Sequence, residues 1–256
     1  QIPDVCDWLS RLPEPVLFCD SDRFVNRLYQ SALADLQLDA VIAPWHRYAV
    51  DLNRKPEDQD MDPQELRNKN AARKLAGGFH WRVSTRGDVL LDRPITASEH
   101  TTLRALIYEP FHQDIQKQYE SRFKAGFAEV YHLDLHSMPS RGTEAHRDPG
   151  ELRADVVISD SMGKSARPDF VDVVLLSFVR AGLKTSYNWP YYGGRLTEHY
   201  GKPQLHQHCV QVELNRSLYM DEETKQYLPA KAEALQKKLH QALVSICHDQ
   251  RLLMNA

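Results

Sequence analysis

Short apolar runs of strand length alternate along this chain with stretches whose apolar residues recur every three or four positions. Residues 15–19, Pro-Val-Leu-Phe-Cys, read as a short buried strand. Residues 23–36 read as a helix with Phe24, Leu28, Leu33 and Leu36 on its apolar side. Residues 40–43 and 48–52 read as strands or extended pieces. Asp62 before Pro63 predicts a helix start, with the aspartate as cap and the proline in the first turn. A long helix is predicted from about Ser98 towards Lys124, kinked or interrupted at Pro110, whose ring and missing N–H disturb a helix interior. Residues 129–135 form a strand and 154–159 a shorter one. A helix then runs from Arg167-Pro168 to about Ala181, where Gly182 stops it. Residues 185–187 are extended, 209–214 form a strand, and 221–248 a long final helix. Strand and helix take turns throughout, which predicts an α/β fold with a largely parallel sheet in a single domain spanning 1–256. The polar segments 53–62 and 140–152 are the predicted long loops, and loops of that length in a compact domain tend to carry function.

Composition narrows the picture. The chain has 256 residues, enough to bury a full core without staples. Lys plus Arg is 32 and Asp plus Glu is 35, and the resulting balance gives no electrostatic footprint for nucleic acid. No apolar run approaches the ~18 residues of a membrane span. The opening residues Gln1-Ile2-Pro3-Asp4-Val5 do not have the basic and then apolar pattern of a secretion signal. Cys6, Cys19, Cys209 and Cys247 are scattered, with no C-x-x-C, and predict four reduced, mostly buried thiols and a cytoplasmic protein.

Candidate chemistry concentrates in Tyr131-His132-Leu133-Asp134-Leu135-His136-Ser137-Met138-Pro139-Ser140. The segment begins as an alternating strand, so His132, Asp134 and His136 share a face before a Ser/Pro loop breaks it. Two imidazoles and a carboxylate at a strand end suit a metal. His136 is the candidate ligand, Asp134 can orient its ring from the second shell, and His132 lies deeper as a core or sheet residue. Asn53-Arg54, after Asp51-Leu52, offers an amide and a guanidinium fork for a carboxylate. Gln211, Glu213 and Asn215 form a polar row on an otherwise apolar strand and need partners there. Glu213 is the candidate general base. The stretch from Tyr187 to Arg195 places rings, a Gly-Gly hinge and a cation together, a plausible binding loop or a packed turn. His206 and His208 form a weak H-x-H signal, and His46 and His112 read as packing or rim residues. There is no Walker loop, G-x-G-x-x-G, G-x-S-x-G or H-E-x-x-H.

Five blocks in this order resemble the N-formylglutamate amidohydrolase family. They are Asp20-Ser21-Asp22-Arg23-Phe24-Val25-Asn26-Arg27-Leu28-Tyr29; Arg47-Tyr48-Ala49-Val50-Asp51-Leu52-Asn53-Arg54; Asp134-Leu135-His136-Ser137-Met138-Pro139-Ser140; Asn188-Trp189-Pro190-Tyr191-Tyr192-Gly193-Gly194; and the ten residues from Gln211 to Met220. The resemblance implies a mixed α/β sheet flanked by helices, related in fold to zinc carboxypeptidases. It also implies a zinc hydrolase of N-formyl amino acids, with N-formyl-L-glutamate as type substrate and a role in histidine breakdown. Carried over by motif, Asp22 or Asp20 and His136 hold Zn2+, with Asp22 preferred. Glu213 is the base, Arg47 or Arg195 steadies the oxyanion, and Asn53 and Arg54 hold the α-carboxylate. Arg195 or Arg141 meets the side-chain carboxylate, and Asn188 and Tyr191 line the substrate loop. The family's Pro-His-Ser-Gly stretch, expected after residues 16–19, is not there, which leaves two protein ligands and weak zinc binding. A histidine-bearing loop between Cys19 and Asp20 would restore it. The alternatives are a zinc amidase or peptidase for another N-acyl group, or a non-catalytic carboxylate-binding relative.

Overall fold

The computed structural model describes residues 1–58 and 77–254, with the side chains of the last five of these left aside. Its helices are α1 (Glu14–Leu17), α2 (Val25–Asp35), α3 (Ala97–Leu103), α4 (Glu109–Lys124), α5 (Pro168–Arg180), α6 (Arg195–Tyr200) and α7 (Pro229–Met254). Its strands are β1 (Val130–Met138), β2 (Val156–Ser159), β3 (Thr185–Tyr187) and β4 (Gln207–Asn215). The helix expected at Asp62-Pro63 lies outside the described residues. The chain divides into two compact units, each built from separated segments. The first is Gln1–Ser21, Val41–Ala125 and Arg141–Glu151, and the second is Asp22–Ala40, Gly126–Ser140 and Leu152–Ala256.

The first unit is helical and irregular. Its core gathers Cys6, Leu9, Tyr48, Phe79, Trp81 and Leu103. The strand expected at residues 15–19 is instead α1 and the turn after it, with Phe18 N–H bonded to Glu14 O. Proline explains the difference. Pro15 sits in the first helical turn, where no N–H is needed, whereas a sheet ladder would need one. Residues 48–50 are buried but turn rather than extend, tied by Asp51 N–H to Phe79 O and by Trp81 N–H to Tyr48 O. The long helix predicted up to Lys124 begins at a Thr96/Glu99 capping box and widens into a π-turn over Arg104–Tyr108. Pro110 then sits in the first turn of α4, so the wider turn absorbs its missing donor.

The second unit holds the sheet. Its strand order is β1-β4-β2-β3. β1 and β4 run parallel, as do β2 and β3, while β2 and β4 run antiparallel, so the sheet is mixed and mostly parallel as expected. Alternation divides the sheet into two faces. Leu133, Leu135, Val210, Val212, Leu214, Val156 and Ile158 face a core shared with α2, α5 and α7, including Leu28, Phe170, Phe178 and Leu239. His132, Asp134 and His136 in β1 and Gln211, Glu213 and Asn215 in β4 therefore occupy the other face. α5 stops at Gly182, which takes φ 77°, a left-handed conformation that glycine adopts without penalty. α7 begins eight residues later than the sequence predicts. Asp221 accepts the N–H groups of Glu223 and Thr224 and closes a separate turn, and Pro229 then starts the helix. All four cysteines are free; Cys6, Cys19 and Cys209 are buried and Cys247 half-buried. No helix among the described residues is long and apolar enough to cross a membrane.

Candidate active site

The polar face of the sheet ends in a cluster around His136. Its Nδ1 lies 2.9 Å from Asp22 Oδ2. Its Nε2 lies 2.9 Å from Asp134 Oδ1, outside hydrogen-bonding direction. Asp22 precedes α2 and is held from the end of β1: its Oδ1 accepts the Ser137 N–H at 2.9 Å and the Ser137 hydroxyl at 3.1 Å. Arg216, itself buried, braces this arrangement. It donates from Nε to Ser137 Oγ and from Nη2 to Ser137 O, and Nη2 lies 3.6 Å from Asp22 Oδ1. Burial alone would pull the His136 imidazole down, but the Asp134 and Asp22 carboxylates overrule it and hold the group well above its usual range. The two carboxylates thus favour positive charge on the ring.

Glu213 stands next to this cluster. In the parallel register His136 pairs with Glu213 and Asp134 with Gln211. Register partners in adjacent strands project to the same face, with strands roughly 4.8 Å apart. Glu213 is buried, and its Oε1 accepts Gln211 Nε2 at 2.6 Å.

The segment from the end of β3 to the start of α6 carries three predicted substrate residues. Asn188 takes positive φ and is engaged at both ends of its amide by Asp160: Nδ2 donates to Oδ1 at 2.9 Å, and Oδ1 accepts the Asp160 N–H at 3.2 Å. Its role here is to shape the loop. Tyr191 accepts from Arg153 Nη1 at 2.9 Å, and the same guanidinium lies over its ring. Arg195 opens α6 with a buried Nε that has no hydrogen-bond partner among the described residues.

In the first unit, Asp20, Arg47, Asn53 and Arg54 belong to one network. Asp20 accepts Tyr48 OH at 2.7 Å and both the N–H and hydroxyl of Thr85, at 3.1 and 2.5 Å. Those donors occupy its carboxylate, so Asp20, the fallback ligand, serves as a structural acceptor. Arg47 donates to Asp20 O and to Asp51 Oδ2. Asp51 also accepts Trp81 Nε1–H and the Asn53 N–H. Burial works to raise the Asp51 carboxyl, but Arg47 and Arg54 hold it below the ordinary range. Arg54 donates to Gly77 O and Asn53 O, and Arg141 to Gly150 O. His46 is packed and bonded to Leu17 O, and His112 stacks on Tyr108, both as expected of packing residues. Cys19 and Asp20 are directly joined behind a turn that Cys19 N–H closes on Val16 O, so no histidine-bearing loop lies between them.

The donor set at Asp22 and His136 suits a divalent ion as two of its ligands. A carboxylate oxygen and an imidazole nitrogen lie 2.9 Å apart, and a second carboxylate lies 2.9 Å from the other ring nitrogen, as beside a zinc-binding histidine. Among the described residues, no group of three or more His, Cys, Asp or Glu side chains could hold a metal. The residue pattern does not single out Ser137 and Arg216, although both lie inside the family-like blocks, one directly after His136 and the other directly after the polar row of β4.

The chain is 29% identical over 240 residues to an N-formylglutamate deformylase of Pseudomonas aeruginosa, covering 89% of this chain and 81% of the relative. It is 28% identical over 236 residues to an N-formylglutamate deformylase of Pseudomonas putida, covering 88% and 82%. The fold matches the crystal structure of N-formylglutamate amidohydrolase from Ralstonia eutropha JMP134 with a TM-score of 0.79 at 24% identity, covering 98% of this chain and 90% of that one. A gene product of Agrobacterium tumefaciens matches with a TM-score of 0.58 at 20% identity, covering 96% and 87%. The family model for N-formylglutamate amidohydrolase matches residues 1–220, and the chain belongs to that family.

Proposed function

We propose that the protein hydrolyses the formamide bond of an N-formyl amino acid, with N-formyl-L-glutamate as the type substrate, to formate and the free amino acid. The observation that carries this reading is the β1/β4 register, which sets the Glu213 carboxylate beside His136 while Asp22 meets the ring's Nδ1. Family membership and the two deformylase relatives support the choice of substrate. Asp22 and His136 would hold a divalent ion such as Zn2+, which when bound would polarise the formyl oxygen and acidify a water. Asp134 backs the His136 ring at 2.9 Å from Nε2, and Ser137 and Arg216 hold Asp22. Glu213 removes a proton as water oxygen adds to the formyl carbon. It returns that proton to the amine nitrogen as the C–N bond breaks. Arg195, with its unbonded Nε, is assigned to an anionic group of the substrate. For Arg47, Asn53, Arg54 and Tyr191 the assignment rests on the family blocks alone.

Formate release from N-formyl-L-glutamate, measured beside N-acetyl and longer N-acyl amino acids, tests the reading. Replacing Glu213 by Gln should leave bound metal unchanged and lower turnover ~10²–10⁴-fold, the usual scale for losing an acid–base group. Metal-loaded protein that releases no formate would sink the proposal. A carboxylate-binding relative without metal is the second reading, favoured by finding two metal donors together rather than three. Metal analysis of protein purified without chelator separates the two.

A further inference from the structure

A glutamine in the middle of β4 is costly unless its amide is used, because Gln211 is 3% exposed and the positions beside it are apolar. Its Nε2–H reaches Glu213 Oε1 at 2.6 Å, two residues along the same face. Its Oε1 is buried with no hydrogen-bond partner among the described residues, and so is Oδ2 of Asp134, its register partner in β1. The amide orientation is determined by chemistry: turned over, Oε1 would face the Glu213 carboxylate and no donor would be left to meet it.

We propose that Gln211 is a positioning residue for the base: its amide holds the Glu213 carboxylate in one rotamer on the sheet face. This rests on the reading of Glu213 as the base. The buried acceptors on Gln211 and Asp134 add a second element. Two neighbouring acceptors are both satisfied by one group carrying two hydrogens, such as a water. That bridge would keep the far end of the amide in place and tie Gln211 to the carboxylate behind His136.

The test compares wild type, Gln211→Met and Gln211→Glu in formate release, with bound metal measured on each. Gln211→Met keeps the volume and loses the donor. It should lower kcat roughly tenfold or more with KM changed less than about twofold. Gln211→Glu keeps the shape but puts an acceptor where the donor was, so its kcat should fall at least as far. Bound metal should be unchanged in both. An unchanged kcat in both variants, or lower kcat with a proportionate fall in folded protein, would overturn the positioning role. If Glu213→Gln abolishes activity while both Gln211 variants match wild type, this inference alone fails. If wild type is inactive, the proposed function falls and takes the inference with it.

Discussion

His46 offers a pH prediction whose size follows from its surroundings. The ring is 8% exposed. Nδ1 accepts the Tyr48 N–H at 3.2 Å, so its lone pair is in use. Nε2 then carries the proton and donates to Leu17 O at 2.9 Å. A second proton would have to sit at Nδ1, pointing at an N–H. Burial first, with the Arg47 charge adding to it, pushes the imidazole down from 6.5 to about 4, although Leu17 O and Asp20 pull the other way. The sign follows from where each state takes up a proton. Below about pH 6.5 the unfolded chain binds it and the folded chain does not, so stability falls with pH until the folded ring titrates near 4. The gap of roughly 2.5 units corresponds to about 3 kcal/mol. The assay is urea unfolding by tryptophan fluorescence between pH 7.5 and 4 for wild type and His46→Gln, a neutral replacement that can both accept and donate. The variant's stability should fall less steeply over this window, closing a relative difference of about 3 kcal/mol. Parallel curves, or an NMR titration of the His46 ring with a midpoint near its ordinary value, would refute the reasoning.

Two further outcomes follow from the same structure. Because Asp134 and Asp22 hold His136 well above its usual range, a divalent ion must displace its proton. Calorimetry in buffers of different ionisation enthalpy should find close to one proton released per ion at pH 7, with affinity rising about tenfold per pH unit; no proton release would contradict the assignment of Nδ1. Gly142 has no room for a side chain, since a Cβ there would lie 2.0 Å from Asp148 O. Gly142→Ala should cost about 3 kcal/mol, the upper end for over-packing, in urea unfolding; an unchanged midpoint would show that the loop simply moves aside.

Much of the sheet and part of the candidate cluster are legible from residues because a period of two is hard to imitate. Tyr131, Leu133 and Leu135 alternating with His132, Asp134 and His136 specified both faces of β1, and the polar row of β4 did the same for Glu213. Pairing is another matter. Nothing local says that His136 lies opposite Glu213 rather than two residues away, because parallel register is set by the whole sheet. Asp20 and Asp22 were indistinguishable for a similar reason. They flank one serine, and only tertiary partners separate them: Tyr48 and Thr85 claim the first, Ser137 and His136 the second. Residues 15–19 are ambiguous because a five-residue apolar run has no period to read, and Pro15 decides for a helical turn.

The way the chain passes back and forth between its two units limits what can be made of it in pieces. Segments of each unit are interleaved along the chain, so a single cut anywhere between residues 22 and 151 leaves two products that each hold incomplete parts of both units. Asp22 and His136 sit 114 residues apart on different segments of the same unit. Splitting the gene between them therefore separates the pair, and shortened versions should be recovered as aggregates rather than as smaller working domains.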